Sequence, residues 1–395
     1  MSDYFMNTYG QRQMTLASGN GCVVTDNNGM KYVDYLAGVA VNALGYNHPA
    51  LVAAVTEQMQ TLHHVSNHFY TDIQDRLCER LCGETGMAKA FLCNSGTEAI
   101  EGAIKLARKC GNSEGGKRHK IICLEGAFHG RSLGALAATG TVKYQEPFAP
   151  MLPGFAHVPF GDLAALEAEA SSEDALAFMF EPVQGEGGVR TLPAEYWQGA
   201  MAICKKHNLL VIADEVQTGI GRCGAFLASP LVGGGPDVVK PDIIALAKGL
   251  GGGLPIGAVL CNSKADKFQP GDHGTTFGGN PLCCAAAHAV LDVVLSDGFM
   301  DSVVAKGLSL QKGLQNLSSK YPSVIKEARG IGLMRGVELL HEYDGKAAVK
   351  AMKEKGFIIN CAGQNTLRFV PPLVIEAAQI EDMLNALDTV IGGLL

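Results

Sequence analysis

The chain has 395 residues, 47% of them hydrophobic, with 49 glycines and 16 prolines. Glycine at about 12%, against a usual figure near 7%, follows no three-residue period, and the apolar content is high, so fibrous and disordered classes are excluded. A net charge of −7 argues against nucleic acid or an anionic membrane as the main partner, and the length allows a large core with a smaller appendage.

In chain order, Met1 to Asn20 contain no basic stretch leading into an apolar one. No apolar run anywhere reaches the roughly 18 residues that a bilayer crossing needs. The expectation is a soluble, cytoplasmic protein. Residues 23–25 and 31–33 flank an Asn27-Asn28-Gly29 turn and read as a hairpin. His63, His64 and His68 lack an accompanying carboxylate at zinc-protease spacing, so they read as satisfied structural histidines, not as a metal site. From about residue 90 to 260, short apolar runs (90–93, 121–124, 177–180, 209–213, 243–246) alternate with helix-period stretches. That pattern predicts an α/β fold with a mostly parallel sheet. Ile100, Ala103, Ile104 and Ala107 share one helical face. Residues 111–117 carry a phosphate-loop spacing, but Arg118 replaces the Ser or Thr that magnesium needs, which leaves an exposed basic turn. Gly219, Gly221 and Gly224 match a dinucleotide spelling, with no room for the helix it requires. After Pro281 an Ala-rich helix leads into a last third with amphipathic helices and strands near 335–340 and 366–370. The expected organisation is an N-terminal segment 1–48 packing with the small domain, a large domain 49–285 and a small α+β domain 286–395. The 12 cysteines form no C-x-x-C pair and read as free thiols in a reducing compartment, with no metal.

Chemistry concentrates where apolar runs end. Asn94-Ser95-Gly96-Thr97-Glu98 follows one such run and opens a helix, offering free N–H groups, two hydroxyls and a positive dipole end to a phosphate. Asp214 ends another run, and a buried carboxylate there needs a cationic or protonated partner. Lys248 ends a third, between Ala247 and Gly249, in small apolar surroundings that lower its pKa. A phosphate cradle, a lysine for covalent attachment and an aspartate for a ring nitrogen, together at one sheet edge, are the parts that pyridoxal phosphate needs.

At these residues the sequence strongly resembles the class III, fold-type I aminotransferases, and among them the branch acting on N-acetylornithine. Its landmarks include residues 42–49, 94–99, 128–135, 181–188, 214–219, 247–249 and 275–281. The resemblance implies that Lys248 carries the cofactor and Asp214 pairs with its ring nitrogen. It also implies that Gln217 bonds the phenolic oxygen, Phe128 and Val216 pack the two ring faces, and Ser95, Gly96 and Thr97 hold the phosphate. In the family the threonine matching Thr276 reaches the phosphate from the other subunit, so a homodimer is implied. Arg131 and Arg368 are each suited to grip a carboxylate bidentately. On the family pattern Glu186 neutralises Arg368 for a first substrate and swings away for glutamate. The implied activity transfers the distal amino group of N-acetylornithine to 2-oxoglutarate. N-succinyldiaminopimelate, N-succinylornithine, ornithine and 4-aminobutyrate stand as alternative donors, and a non-catalytic regulatory homologue as a remote one. Residues 38–42 hold no aromatic side chain, which favours the acylated-diamine branch. The family usually has Asn where this chain has Ile100, and a larger residue where it has Gly102.

Overall fold

The structure is a computed structural model and describes residues 4–10, 14–235 and 237–395. Its largest sheet has seven strands in the order Lys89–Cys93, Gly257–Cys261, Ile243–Leu246, Leu210–Asp214, Ala175–Phe180, Lys120–Leu124, Phe155–Val158. Every residue of Ala175–Phe180, Leu210–Asp214, Ile243–Leu246 and Gly257–Cys261 is buried. Strands covered on both faces read as continuous apolar runs, which is why these segments show no alternation. Only Gly257–Cys261 runs antiparallel to its neighbours. All the other strands therefore point the same way, and their carboxyl ends share one edge.

Helix Gly96–Ser113 lies on one face with Ile100, Ala103, Ile104 and Ala107 buried against the sheet. Both departures from the family pattern have a packing reason. Ile100 is wholly buried among apolar neighbours, where an amide would lack partners. A Cβ on Gly102 would come within 2.9 Å of a Val259 methyl, so the missing side chain lets helix and sheet approach. Phe178, Phe180 and Trp197 fill the opposite face.

The two ends of the chain meet. The expected hairpin forms, Val23–Asp26 pairing antiparallel with Lys31–Asp34, and Phe357–Ile358 extends that sheet in parallel. Tyr35 packs edge-on against Phe357 and Phe369. Strands Ile325–Ile331, Met334–Leu339, Thr366–Phe369 and Asn360–Ala362 form a third sheet. The expected division at 285/286 falls inside helix Pro281–Val294, and residues 1–3 and 11–13 of the expected segment 1–48 lie outside the described residues.

Residues 37–40 have φ of 50, 64, 65 and 65°, a left-handed turn in which only Gly38 is glycine. Such a turn costs about 1–2 kcal/mol per L-residue. Asp34 holds it, with Oδ1 accepting from the backbone N–H of Leu36 (2.7 Å) and Ala37 (2.9 Å) and Oδ2 from the Tyr46 hydroxyl (2.6 Å). Among the described residues no single helix is long and apolar enough to cross a membrane, and all 12 cysteines are free.

Candidate active site

The shared carboxyl edge of the sheet gathers the ionisable groups. Asp214 ends its strand buried at 4% exposure; its Oδ1 accepts from Val216 N–H at 3.0 Å, and its Oδ2 lies 2.7 Å from His129 Nδ1. Burial alone would lower the His129 pKa, but the hydrogen bond and charge of Asp214, with Glu181 adding, leave it raised. The other imidazole nitrogen, Nε2, is buried without a hydrogen-bond partner among the described residues. Glu181 follows Ala175–Phe180 and is also buried, its two oxygens accepting from Phe128 N–H at 2.9 Å and Gly185 N–H at 3.1 Å. Burial first, then the Asp214 charge, push its pKa up to about 7.

Lys248 follows Ile243–Leu246 with φ of 44°, the left-handed region that disfavours a side-chain-bearing residue. Strain of this sort costs on the order of 1–3 kcal/mol and persists where the surroundings enforce it. Burial draws its pKa below that of an ordinary lysine; Asp214 opposes the shift and Arg368 adds to it. The turn after Asp214 is pinned by Glu215, which accepts from Ala228 N–H at 3.1 Å, Ser229 N–H at 2.6 Å and the Thr218 and Ser229 hydroxyls.

These groups open on a cavity of about 240 Å³. A dry cavity of about 150 Å³ accepts benzene, so this one has room for a substituted ring. Gly96, Thr97, Phe128, Val216 and Gln217 line it beside Asp214 and Lys248. Ser95 caps helix Gly96–Ser113, its hydroxyl accepting from Glu98 N–H at 3.3 Å. The first N–H groups of a helix have no acceptor within it and face outward with the positive end of its dipole. A Cβ on Gly96 would sit 2.7 Å from a Val216 methyl, so the close approach of helix and wall requires glycine there. A buried, pKa-lowered lysine, a buried carboxylate and a helix N-terminus around a ring-sized cavity fit pyridoxal phosphate.

One arginine lines this cavity and a second lies behind its lining residues Glu186 and Gln217. Arg131 lines it directly, and Thr97 Oγ1 accepts from the backbone N–H of Arg131 (3.3 Å) and Ser132 (3.2 Å). The Arg131 guanidinium stacks 4.0 Å from the Tyr144 ring centre and 5.4 Å from that of Phe128. Arg368 is 1% exposed. Its Nη1 donates to Glu186 Oε1 at 2.7 Å and to Gln217 Oε1 at 3.4 Å, while its Nε donates to Asn360 Oδ1 at 3.1 Å. Glu186 also lines the cavity.

Of the site residues singled out in the sequence, three do not line this chain's cavity: Ser95 and Arg368 stand directly behind lining residues, and Thr276 is exposed. His129, Glu181, Tyr144 and Asn360 were not singled out. Glu181 repeats the signal that exposed Asp214, a carboxylate ending an apolar strand, and His129 stands beside Phe128 in the same landmark. Of the histidines read as satisfied and structural, His63 and His68 are exposed to solvent, and His64 departs from that reading, its Nδ1 buried without a partner among the described residues. Their segment runs over the surface between helices Pro49–Thr61 and Asp72–Thr85.

Residues 4–391 match the model of the family described as aminotransferase class III. The acetylornithine aminotransferase of Caldanaerobacter subterraneus subsp. tengcongensis is 47% identical over 390 residues, covering 98% of this chain and 97% of the relative. That of Methanocaldococcus jannaschii is 47% identical over 392 residues, covering 98% and 96%. Among solved structures, the ornithine aminotransferase of Toxoplasma gondii, with pyridoxal phosphate at partial occupancy in its active site, superposes with a TM-score of 0.92. It is 33% identical and covers 98% of this chain and 92% of that one.

Proposed function

The chain belongs to the class III aminotransferase family, and from that premise we propose that it moves the distal amino group of N-acetylornithine to 2-oxoglutarate, giving N-acetylglutamate semialdehyde and glutamate. Its cofactor is pyridoxal 5′-phosphate. The observation that carries the two-substrate reading is the contrast at the cavity between a free arginine, Arg131, and one closed by an acid, Arg368 with Glu186 at 2.7 Å. The near-full-length identity of 47% to acetylornithine aminotransferases favours the acylated donor over ornithine, whose transaminase is 33% identical.

Pyridoxal phosphate, when bound, supplies an electron sink for the carbanion left when a C–H bond next to the amine breaks. The residues of the chain do the rest. Ser95, Gly96 and Thr97 would hold the phosphate, Phe128 and Val216 would enclose the ring, and Gln217 would donate to its phenolic oxygen. The Asp214 carboxylate would hold a proton on the ring nitrogen, and His129, hydrogen-bonded to it, fixes its orientation. Lys248 Nζ would hold and move the proton of the substrate carbon, as base and then acid; burial draws its pKa down, which favours the basic form.

Arg131 grips the α-carboxylate of N-acetylornithine while Glu186 neutralises Arg368. For 2-oxoglutarate, Glu186 turns aside, Arg368 takes the α-carboxylate and Arg131 the distal one. We further propose a cytoplasmic homodimer in which the exposed Thr276 of each subunit completes the partner's phosphate site. Exposed Phe69, Tyr70 and Phe277 supply apolar surface for that contact. The test is a donor panel of N-acetylornithine, N-succinylornithine, ornithine, N-succinyldiaminopimelate and 4-aminobutyrate with 2-oxoglutarate as acceptor. N-acetylornithine is expected to show the highest kcat/KM and Lys248→Ala no turnover; a higher value for any other donor overturns the substrate.

A further inference from the structure

Arg131 is exposed, on the loop between Lys120–Leu124 and helix Leu133–Ala138. Among the described residues its side chain has no hydrogen bond or ion pair, and it rests on aromatic rings, one of which also carries the Lys143 amine 5.2 Å from its centre. The guanidinium carbon lies 4.0 Å from the centre of the Tyr144 ring and 5.4 Å from that of Phe128. The two rings meet edge to face, centres 6.2 Å apart and planes at 87°. Tyr144 is half-buried in the short helix Val142–Gln145. Gln145, next to it, ties that helix down, its Nε2 donating to Leu136 O at 3.1 Å and Thr139 O at 2.8 Å.

From this arrangement we propose that Tyr144 is a positioning residue for substrate carboxylates, acting through Arg131. A long, exposed arginine samples many rotamers, and a carboxylate must select one on binding. A ring face under the guanidinium removes that freedom beforehand through cation–π attraction and stacking, without occupying any of the N–H donors. An acidic partner would fix the arginine equally well but compete with the substrate. The Tyr144 seat thus orders the grip and leaves it open. Because the second ring is Phe128, the seat also ties the position of Arg131 to the wall of the cofactor cavity.

The inference rests on the proposed role of Arg131, and a double-mutant cycle separates the two. Tyr144→Leu is expected to raise KM for N-acetylornithine and for 2-oxoglutarate together, by about threefold to thirtyfold, with kcat changed much less. Tyr144→Phe keeps the ring and is expected to restore both values. In an Arg131→Ala background, Tyr144→Leu is expected to have no further effect on either KM. If Arg131→Ala itself leaves both KM values unchanged, the role of Arg131 fails. If Arg131→Ala raises them and Tyr144→Leu does not, or if the two effects add fully, the positioning role of Tyr144 fails. Cofactor absorbance in each purified variant reports whether the cavity is intact.

Discussion

Arg131 lines the cavity and Arg368 lies behind its wall, and the two are held in opposite ways. Arg368 is 1% exposed, its donors engaged by Glu186, Gln217 and Asn360. Arg131 is exposed and rests on rings, with its fork of N–H groups free. A buried guanidinium paired with an acid presents no net charge to a ligand until the acid moves. An exposed one seated on an aromatic face presents its charge continuously. On the proposed roles, one chemical group would serve as a conditional grip at one place and a constant grip at the other, and the difference lies in the neighbours.

The largest effects follow from removing each grip. Arg131→Ala is expected to lower kcat/KM for both N-acetylornithine and 2-oxoglutarate by about tenfold to a hundredfold, the worth of a charged hydrogen-bonded pair. Arg368→Ala is expected to do so for 2-oxoglutarate alone. Half-reaction rates measured separately for donor and acceptor give the answer, and equal losses in both variants for both substrates would erase the distinction.

Removing the acid sharpens it. Glu186→Ala leaves a buried guanidinium uncompensated, at a cost of about 1–2 kcal/mol once the partial exposure of Glu186 is allowed for. The melting temperature is expected to fall by a few degrees. The two KM values should move in opposite directions, up for N-acetylornithine and down for 2-oxoglutarate, because an open cationic site favours the dicarboxylate. Steady-state kinetics with both substrates varied would show it.

Much of this site is legible in the sequence. Lys248 and Asp214 stood out because an apolar strand has no reason to end in a charge, and the sheet edge puts both at one cavity. Glu181 obeys the same rule and was passed over. Tyr144 and Asn360 carry no such signal: each matters only through an arginine, Asn360 across a strand pair and Tyr144 through a short helix 13 positions on from Arg131. The left-handed turn at 37–40 was equally hidden, since Ala and Val do not announce positive φ; the Asp34 carboxylate imposes it from outside the turn.

Glu181 belongs with the buried half of the comparison, and pH exposes it. Its carboxyl has a pKa of about 7 in the folded protein against an ordinary 4.5. Between these values the folded state keeps a proton that the unfolded chain releases, so this group's contribution to stability falls as pH rises through that window and its burial penalty is complete above pH 7. Glu181→Gln removes the titration. Its melting temperature relative to the parent is expected to improve by a few degrees between pH 5 and pH 8, and a pH-independent difference would place the charge elsewhere.

Asn360 gives the finest discrimination. Its register opposite Arg368 on the neighbouring strand and its 3.1 Å contact to Nε fix the guanidinium from the side away from Nη1, the atom that Glu186 engages. With Glu186 turned aside as proposed, Asn360 and the longer contact to Gln217 would keep the plane of the guanidinium aimed, so the loss of Asn360 should be felt only by the ligand that uses Arg368. A single hydrogen bond of this kind is worth about 1 kcal/mol. Asn360→Ala is therefore expected to raise KM for 2-oxoglutarate about fivefold and leave that for N-acetylornithine unchanged. A shift in the N-acetylornithine value of the same size would mean that Arg368 bears on both substrates, and the conditional grip would be no different in kind from the constant one at Arg131.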